Sequence, residues 1–205
     1  MSNEPLFERL KHPNPNLRER AMMELAQKRD ETTIPRLIEM VDEENVDYRR
    51  AAVKALGVIG PDAVPAIVEL LQSHENPTIQ ASCVKALAQV AVNYEGETFP
   101  AEGVEGLKFG LNHPNPVVYL ASVMAIGAVG SPMLDVLIET VQTTDNPAVS
   151  VAIINAFTSI GDRRAESILA TLAADESADP YIRESAESAI PRLQQTIEYR
   201  NMKSS

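Results

Sequence analysis

Apolar residues recur along this chain with helical spacing, in blocks that restart at a regular interval. Within residues 48–59 they stand three or four positions apart, and a second, shorter apolar block covers residues 63–71. This spacing places the apolar side chains of each block on one face of a helix. Gly60-Pro61-Asp62 lies between the blocks and combines a helix-ending glycine with a residue that can cap the next helix. The pattern therefore predicts two helices joined by a tight turn.

The same short phrase opens each of the longer blocks, and we call it the Asx phrase. It begins with Asn or Asp and in most copies continues with Pro. Asn and Asp are good N-caps, and Pro is tolerated at the first helical position because its missing N–H would have no helical partner there. The copies begin at Asn14, Asn45, Asn76, Asn115, Asn146 and Asp179, at intervals of 31, 31, 39, 31 and 33 residues.

A fixed period of this length is typical of a solenoid, in which each repeat is a helix pair stacked on its neighbours. We predict an all-α fold, a right-handed α-α superhelix of about six helix pairs that forms a single array over residues 1–205. We call the helices that begin with the Asx phrase the phrase helices, and their partners the second helices. Second helices are expected near Pro5–Lys11, Thr33–Val41, Ala63–Leu71, Val104–Leu111, Met133–Val141 and Ala165–Ala173.

Two features interrupt this regularity. The last phrase helix, Tyr181–Tyr199, contains Pro191, which is expected to kink or split it. The third repeat is longer than its neighbours, and its extra residues fall in Val92–Gly103, a polar, glycine-bearing segment. Insertions in solenoids become loops on one face, often the binding face. Tyr94 and Phe99 of this insertion either anchor a partner or fold back onto the loop itself.

The chain is acidic, with a formal net charge of −11 from 18 Lys and Arg against 29 Asp and Glu. Nucleic-acid binders usually present a basic face, and no Lys/Arg-rich run exists here, so nucleic acid is not expected as a partner. No apolar stretch approaches the roughly 20 residues of a membrane span. The segment Met1–Pro5 also lacks the layout of a signal peptide. We expect a soluble, cytoplasmic protein.

No arrangement of residue types typical of a catalytic or metal site stands out. His12, His74 and His113 each lie two residues before an Asx phrase, so we interpret them as turn residues that are too far apart to share a metal. The single cysteine, Cys83, falls on a core alanine position and is predicted to be buried and unreactive. A Gly-rich phosphate loop, an HExxH pattern and a nucleophile elbow are all missing. We predict no metal and no cofactor.

The repeat resembles a known HEAT-like unit. Its pattern reads Asx-Pro-x-Val-Arg-x-x-Ala-x-x-Ala-Leu-x-x-Ile-Gly, and its clearest copies are residues 51–60 and 125–130. This unit is similar to the HEAT-like repeat named after phycobilisome lyases, and the likeness covers essentially the whole chain. The layout, an acidic array of six repeats with an enlarged third one, resembles the smaller, F-type (beta) subunit of the E/F-type phycocyanobilin lyases.

The resemblance implies a heterodimer with an E-type lyase subunit. Such a complex attaches, and can remove, phycocyanobilin at a cysteine of the phycocyanin alpha subunit, so that phycocyanobilin is a substrate and not a cofactor. This chain would act by binding and positioning the bilin and the acceptor protein, and it would be inactive alone. The alternative is a non-enzymatic HEAT-like adapter or phycobilisome-degradation factor that binds phycobiliproteins, because the repeat by itself does not distinguish a lyase from an adapter.

In this repeat family the phrase helices usually line the concave side, so their non-core positions define a candidate groove. The first three repeats supply basic residues to it, Arg20 among them, and the fourth and fifth supply apolar ones. This combination suits an amphipathic partner, either a bilin or a helix, unless the residues simply contact neighbouring helices. The same rule counts Ala51, Ala81 and Ser82 as non-core. The candidate groove residues are Arg50, Lys54, Lys85, Tyr119, Leu120, Met124, Val151 and Asn155.

The position that ends the Asx phrase differs between repeats. Where it is Arg, we predict a structural role in bonding carbonyls or an Asp between adjacent repeats. In the middle three repeats the Arg is replaced, and Tyr119 there places a phenol beside the apolar stretch. Tyr119 is the only candidate for a catalytic residue, the alternative being a packing role between helices. The residues at this position are Arg18, Arg49, Gln80, Tyr119, Ser150 and Arg183.

The two ends of the array are candidate subunit-docking surfaces, because solenoid ends expose apolar faces unless they are capped. The alternative is ordinary packing onto the neighbouring helix. The docking candidates are Leu6, Phe7 and Leu10 at one end and Ile197 and Tyr199 at the other.

Overall fold

The structure, a computed structural model, describes residues 3–203. Within that range the regular structure is helical, as the sequence predicts. The phrase helices are α2 (Pro15–Gln27), α4 (Val46–Ile59), α6 (Pro77–Asn93), α8 (Pro116–Val129), α10 (Pro147–Ile160) and α12 (Pro180–Lys203). The second helices are α1 (Glu4–Leu10), α3 (Thr33–Val41), α5 (Val64–Ser73), α7 (Ala101–Leu111), α9 (Leu134–Thr143) and α11 (Ala165–Ala174).

Every phrase helix begins one residue after the Asx that opens its phrase. In each case the Asx side chain accepts a hydrogen bond from the backbone N–H two residues further on, at 2.8–3.0 Å. This bond satisfies one of the amide groups that a helix start leaves without an intrahelical partner. The N-cap prediction is therefore confirmed at all six positions.

The chain divides into two compact bodies, Met1–Ala125 and Ile126–Ser205, with the boundary inside α8. In the N-terminal body the helices form two layers. The phrase helices α2, α4 and α6 lie side by side in one layer, and the second helices α3, α5 and α7 follow one another in the other. The core between the layers is built from fully buried aliphatic side chains such as Leu25, Leu56 and Leu87.

The C-terminal body repeats this arrangement with fewer helices. Here α10 packs on α12, α9 on α11, and each second helix also contacts a phrase helix. Phe157 of α10 is the largest fully buried side chain of the described residues. The fold class is thus the predicted one, a HEAT-repeat array of helix pairs.

Two effects were predicted for Pro191, a kink or a split of the last helix, and the split is wrong. α12 runs without interruption from Pro180 to Lys203, with Pro191 inside it. Pro191 and Glu187, the residue one turn earlier, are both exposed. Since proline removes the N–H that would bond the carbonyl four residues back, water can satisfy the Glu187 carbonyl, and the helix continues.

The insertion is shorter than its sequence suggested. α6 continues to Asn93 and α7 begins at Ala101, so that only residues 94–100 are irregular.

One helical stretch, Val46–Ser73, is long and apolar enough to cross a membrane by length and composition. It consists of α4, the turn at Gly60–Ala63 and α5. Because 67% of its apolar window is buried inside the protein, its composition is explained by the repeat core.

Candidate binding surface

An exposed strip runs across the phrase-helix layer of the N-terminal body. Met23 of α2, Lys54 of α4 and Lys85 of α6 occupy equivalent repeat positions, and all three are exposed. Arg20 and Arg50, one turn earlier on α2 and α4, are exposed as well. Since α2, α4 and α6 are neighbours in one layer, these five side chains form a continuous surface, which we call the basic strip.

Among the residues that the structure describes, the cations of the basic strip form no ion pairs. Among residues 3–203, no carboxylate lies within 4.0 Å of the charged groups of Arg20, Arg50, Lys54 or Lys85. On α6, Lys85 is the only charged residue in the sequence of the helix. The chain as a whole is strongly acidic, so four uncompensated cations on one surface favour an anionic ligand.

The ion pairs of this body are formed by residues that do not belong to the basic strip. Arg36 pairs with Glu4 at 2.9 Å and Lys108 with Glu105 at 2.9 Å, both on second helices. Lys28 pairs with Glu24 at 2.7 Å at the end of α2. Exposed pairs of this kind add little to stability, but they show that cations elsewhere in the body find carboxylates within reach.

The exposed strip is narrower than the sequence suggested. Ala51, Ala81 and Ser82 were expected on the open face, but they are buried, Ala81 to 1% exposure. The neighbouring phrase helices α4 and α6 pack so closely that a Cβ built on Gly57 would lie 2.4 Å from the Gln89 Cβ. Of the two positions that follow the end of the Asx phrase, the side chains are therefore buried at Ala51, Ala81 and Ser82 and exposed at Arg20 and Arg50.

The remaining predicted groove residues differ in accessibility. On α8, Met124 is 75% exposed, whereas Tyr119 and Leu120 are half-buried. On α10, Val151 is half-buried and Asn155 is exposed. The structure thus places the side chains of Lys54, Lys85, Met124 and Asn155 at the surface in equivalent repeat positions.

Sequence reasoning missed Arg192 of α12. Its guanidinium donates two hydrogen bonds of 3.4 Å to the Asn155 Oδ1, and its Nε donates to the Ser188 carbonyl at 3.1 Å. In the last repeat, Ser188 occupies the position that Lys54 has in the second. Arg192 follows Ser188 by four residues and so lies on the same face of α12, which means that helical spacing could have identified it.

The docking prediction at the N-terminal end is wrong for three residues. Leu6, Phe7 and Leu10 are buried, with exposures of 7%, 2% and 0%, because α1 lays this face on α2. The Arg36 guanidinium also covers the Phe7 ring, 3.9 Å from its centroid. At the other end Ile197 is buried, whereas Tyr199 is 56% exposed and stays a docking candidate.

Both aromatic residues of the insertion fold back onto the repeat. The Tyr94 hydroxyl lies 2.9 Å from the Val58 carbonyl and 3.1 Å from the Ile59 carbonyl, to which it donates at the end of α4. The Tyr94 ring lies against Gly60, and the Phe99 ring lies against Gly103. Of the two alternatives for this loop, the structure supports local packing, which satisfies C-terminal carbonyls of α4.

All three histidines of the chain perform the same task in the turns. The Nδ1 atoms of His12, His74 and His113 accept hydrogen bonds from the backbone N–H of the capping asparagines at 2.9, 2.9 and 3.0 Å. In the fifth repeat the Thr144 hydroxyl oxygen accepts the equivalent bond at 3.2 Å. This geometry confirms the interpretation of the histidines as turn residues.

The position that ends the Asx phrase is structural in the first two repeats. Arg18 donates to the His12 carbonyl at 2.7 Å, and Arg49 donates to the Glu43 carbonyl at 2.9 Å. In the third repeat, buried Gln80 donates to the Leu71 carbonyl at 3.3 Å. Ser150 is buried in the fifth repeat. The residues that replace Arg at positions 80 and 150 are therefore buried in the repeat and are not part of the exposed surface.

The described residues that could act as a nucleophile or as metal ligands form neither a reactive thiol nor a metal cluster. Cys83 is buried, and the loss of solvation raises the pKa of its thiol to about 12, so it stays protonated at neutral pH. Among residues 3–203, no group of three or more His, Cys, Asp or Glu side chains could hold a metal ion.

The HEAT-repeat family model matches residues 3–88 and 104–191 of this chain. A phycocyanin operon protein Z from Pseudanabaena tenuis (strain PCC 7409), which is uncharacterized, is 49% identical over 194 residues, covering 95% of this chain and 96% of that protein. The bilin biosynthesis protein CpeZ from Synechococcus sp. (strain WH8020) is 28% identical over 167 residues, covering 78% of this chain and 89% of that protein.

Among solved structures, the complex of CpcE and CpcF of phycocyanin lyase from Nostoc sp. PCC7120 has a similar fold. The TM-score is 0.51 at 19% sequence identity, and the match covers 75% of this chain and 96% of that chain. At this identity the likeness concerns the fold alone. The family match and the 49% identity go further: the chain belongs to the HEAT-repeat proteins, and within them to the family of phycocyanin operon protein Z.

Proposed function

We propose that this chain is the positioning subunit of a heterodimeric bilin lyase, of the F-type (beta) kind. With an E-type subunit it attaches phycocyanobilin to a cysteine of the phycocyanin alpha subunit, and the same complex can remove the bilin. Its relatives support this assignment, since one is encoded in a phycocyanin operon and another is a bilin biosynthesis protein. The lyase complex of similar fold is consistent with a HEAT-repeat partner.

The observation that carries the proposal is the basic strip. A bilin is an apolar tetrapyrrole with two carboxylates, and it needs cations beside apolar surface. Lys54, Lys85 and Arg50 supply cations that form no ion pair among residues 3–203, and exposed Met23 supplies a flexible apolar contact in the same layer. Met124, with Tyr119 and Leu120, extends the apolar part of the candidate surface along α8.

The proposed chemistry needs no nucleophile from this chain. The cysteine thiolate of the acceptor protein attacks the exocyclic carbon of the bilin ethylidene group, a C–S bond forms, and the double bond is lost as a proton is added to the ring. Holding the two reactants in the correct orientation can supply much of the rate enhancement. The Tyr119 phenol is the candidate proton donor of this chain, and the E-type subunit supplies the other groups.

The remaining parts of the assignment follow from this chemistry. Phycocyanobilin is the substrate, the phycocyanin alpha subunit is the acceptor, and no further cofactor is required. Exposed Tyr199 is the residue we assign to contact with a partner protein. The reaction takes place in the cytoplasm, where apo-phycocyanin is made.

Co-expression tests the proposal. The phycocyanin alpha subunit, a phycocyanobilin-producing pathway and an E-type subunit are expressed with and without this chain, and bilin fluorescence of the alpha subunit is measured after denaturing electrophoresis. We expect covalent fluorescence only when both lyase subunits are present. Equal fluorescence without this chain contradicts the proposal.

A second candidate function is a non-enzymatic adapter that binds phycobiliproteins. The match of the HEAT-repeat family model to residues 3–88 and 104–191 favours it, because this repeat by itself is a binding scaffold. A pull-down distinguishes the two functions. Capture of phycocyanin alpha without an E-type subunit and without bilin transfer supports the adapter, whereas a stable complex with the E-type subunit supports the lyase.

A further inference from the structure

The C-terminal body has a depression that the basic strip does not include. It is open, has a volume of about 380 Å³ and lies between α10 and α12. Its lining consists of Thr158, Ser159, Arg192, Gln195, Thr196 and Tyr199.

The hydroxyl groups of this lining already donate to their own helices. Thr158 and Ser159 donate to the Asn155 carbonyl at 2.7 and 3.3 Å, and Thr196 donates to the Arg192 carbonyl at 3.0 Å. A ligand must therefore find its hydrogen-bond donors elsewhere in the depression. The Arg192 guanidinium is the strongest donor group available, since it carries five N–H groups and a permanent charge.

Arg192 is only weakly engaged within the protein. Its two terminal nitrogens share the Asn155 Oδ1 at 3.4 Å, a distance beyond that of a strong charge-assisted bond. In the part of the chain that the structure describes, no carboxylate lies within 4.0 Å of it. Its helical neighbours Ser188, Gln195 and Thr196 are uncharged. The guanidinium is thus held in place by neutral groups that an anion can displace.

The neighbouring backbone keeps this site open and positive. Gly161 ends α10 with φ of 65°, and a Cβ there would lie 2.8 Å from the Thr196 Cγ2 and 3.2 Å from the Arg200 Cδ. This glycine lets α12 approach α10, and Arg200 then donates to the Ser159 carbonyl at 3.1 Å, at the negative end of the α10 dipole. A second cation therefore lies at the rim of the depression without closing it.

From these contacts we propose that the depression is a carboxylate subsite, with Arg192 binding the carboxylate and the Tyr199 ring covering the apolar stem that bears it. Resting on the proposed function, the inference is that the carboxylate is a propionate of the bilin. Arg192 contacts Asn155, a residue of the candidate groove, and Tyr199 offers a 56% exposed aromatic surface in the same lining. A carboxylate on a short apolar stem matches both groups.

Binding of two probes by the full chain tests the inference. Phycocyanobilin and its dimethyl ester share the tetrapyrrole, but only the former carries carboxylates. Affinities are measured from the change in bilin absorbance on titration. In the wild-type chain the free acid binds more tightly than the ester. Arg192→Gln lowers the affinity for the free acid about tenfold, as expected for one charge-assisted contact, and changes ester binding less than about twofold.

Two further variants control for charge and folding. Arg163→Gln removes an exposed cation of the same body outside the depression, and it leaves both affinities unchanged. Arg192→Lys keeps the charge and retains part of the preference for the free acid. The thermal midpoint of each variant is measured in parallel, and it stays at the wild-type value because Arg192 is exposed.

Three outcomes overturn the inference. The first is an equal loss of acid and ester binding in Arg192→Gln, and the second is no loss of either. The third is weaker capture of apo-phycocyanin alpha by Arg192→Gln with unchanged bilin affinity, which assigns the subsite to an acidic protein side chain. In each case normal bilin attachment in the co-expression experiment leaves the proposed function intact, so the two failures are distinguishable.

Discussion

The two bodies of this protein share one repeat but present different phrase helices. In the N-terminal body the exposed repeat positions on α2, α4 and α6 hold Met23, Lys54 and Lys85, and neither lysine forms an ion pair among residues 3–203. In the C-terminal body the equivalent positions hold Asn155 and Ser188, and both bond to Arg192.

This difference distinguishes the residues that maintain the repeat from the exposed residues that are free to serve function. Three features recur in both bodies and are therefore requirements of the repeat. They are the capping asparagines, the side chains that accept a hydrogen bond from the backbone of those asparagines, and the glycines with positive φ in the turns. The exposed positions of the phrase helices are not required by packing, since their side chains reach solvent in both bodies. What differs there is therefore the part that function can select. In one body the cations form no ion pair among the described residues, and in the other the Arg192 cation is hydrogen-bonded to neutral groups.

The largest effect is expected when the charge of the basic strip is reversed. Arg50→Glu, Lys54→Glu and Lys85→Glu together lower the rate of bilin attachment about a hundredfold, because at least two charge-assisted contacts worth about 1.5 kcal/mol each are lost. The rate is measured by fluorescence of the alpha subunit in the presence of an E-type partner. A matched triple variant, Arg9→Glu, Lys108→Glu and Arg163→Glu, changes the net charge equally away from the strip and keeps the wild-type rate. Equal rates for the two triple variants would contradict a special role of the basic strip in bilin attachment.

The glycine turns give a sharper structural test. Gly60 and Gly130 have nearly the same backbone, with φ of 84° and 85°, yet only Gly60 lies under the Tyr94 ring. Alanine at either position costs about 1–3 kcal/mol of conformational strain. Gly60→Ala also displaces Tyr94 from the Val58 and Ile59 carbonyls, so it should cost about 2 kcal/mol more than Gly130→Ala. Thermal unfolding measures the difference, and in a Tyr94→Ala background Gly60→Ala and Gly130→Ala should cost the same. Equal costs in the presence of Tyr94 would mean that the insertion does not brace the turn.

The turn after α10 makes the C-terminal body sensitive to acid. Arg164 donates to the Asp162 carboxylate at 2.8 Å and lowers the pKa of Asp162 to about 2. Because the folded pKa is lower than the unfolded one, the stabilisation is present above about pH 4 and is lost as the pH falls towards 2. We expect Asp162→Asn to cost about 1–2 kcal/mol at pH 7 and almost nothing near pH 2.

The corresponding control lies in the other body. Asp62 pairs with Arg29, but the Asp62 side chain is 63% exposed, so Asp62→Asn should change stability by less than about 1 kcal/mol. Thermal midpoints of both variants between pH 2 and pH 7 provide the test. A pH-independent cost of Asp162→Asn would show that its role is not electrostatic.

The smallest effect on stability is expected from the side chains that accept a hydrogen bond from the backbone N–H of a capping asparagine. His113→Ala removes the acceptor of the Asn115 N–H and the contact of the imidazole with the Phe109 ring, 6.2 Å between centroids. Thr144→Ala removes only the longer bond to the Asn146 N–H. We expect losses of about 1 kcal/mol and about 0.5 kcal/mol in the free energy of unfolding. His113→Asn, which restores a side-chain acceptor, should recover part of the loss. A Thr144→Ala cost as large as that of His113→Ala would contradict this ranking.

Most of the fold could be predicted from the sequence because the Asx phrase encodes local interactions. A capping side chain bonds an amide two residues away, so its position fixes the helix start without reference to the rest of the chain. Helix starts and the second helices were accordingly predicted to within a few residues. Pro191 was misjudged because the cost of a helical proline depends on exposure, which a local pattern does not contain.

The surface was less predictable, since exposure depends on how closely helices approach one another. Ala51 and Ala81 occupy positions that look open on an isolated helix, but small residues such as Gly57 allow α4 and α6 to pack closely and cover them. Leu6, Phe7 and Leu10 were expected to be exposed because they lie at the end of the array. The contact of α1 with α2 buries them. Arg192 was missed because it stands four residues beyond Ser188, outside the positions that the repeat rule counts as non-core, although helical spacing places it on the same face.

The central claim is that this chain positions bilin and acceptor for attachment, and a reconstituted reaction tests it most directly. Purified apo-phycocyanin alpha, phycocyanobilin and an E-type subunit are mixed with increasing amounts of this chain, and the initial rate of covalent attachment is followed by fluorescence. We expect the attachment rate to rise with the concentration of this chain and to saturate at a 1:1 ratio to the E-type subunit. The charge-reversed variant of the basic strip should not raise the rate. A rate that is independent of this chain, or unaffected by reversing the strip, contradicts the claim.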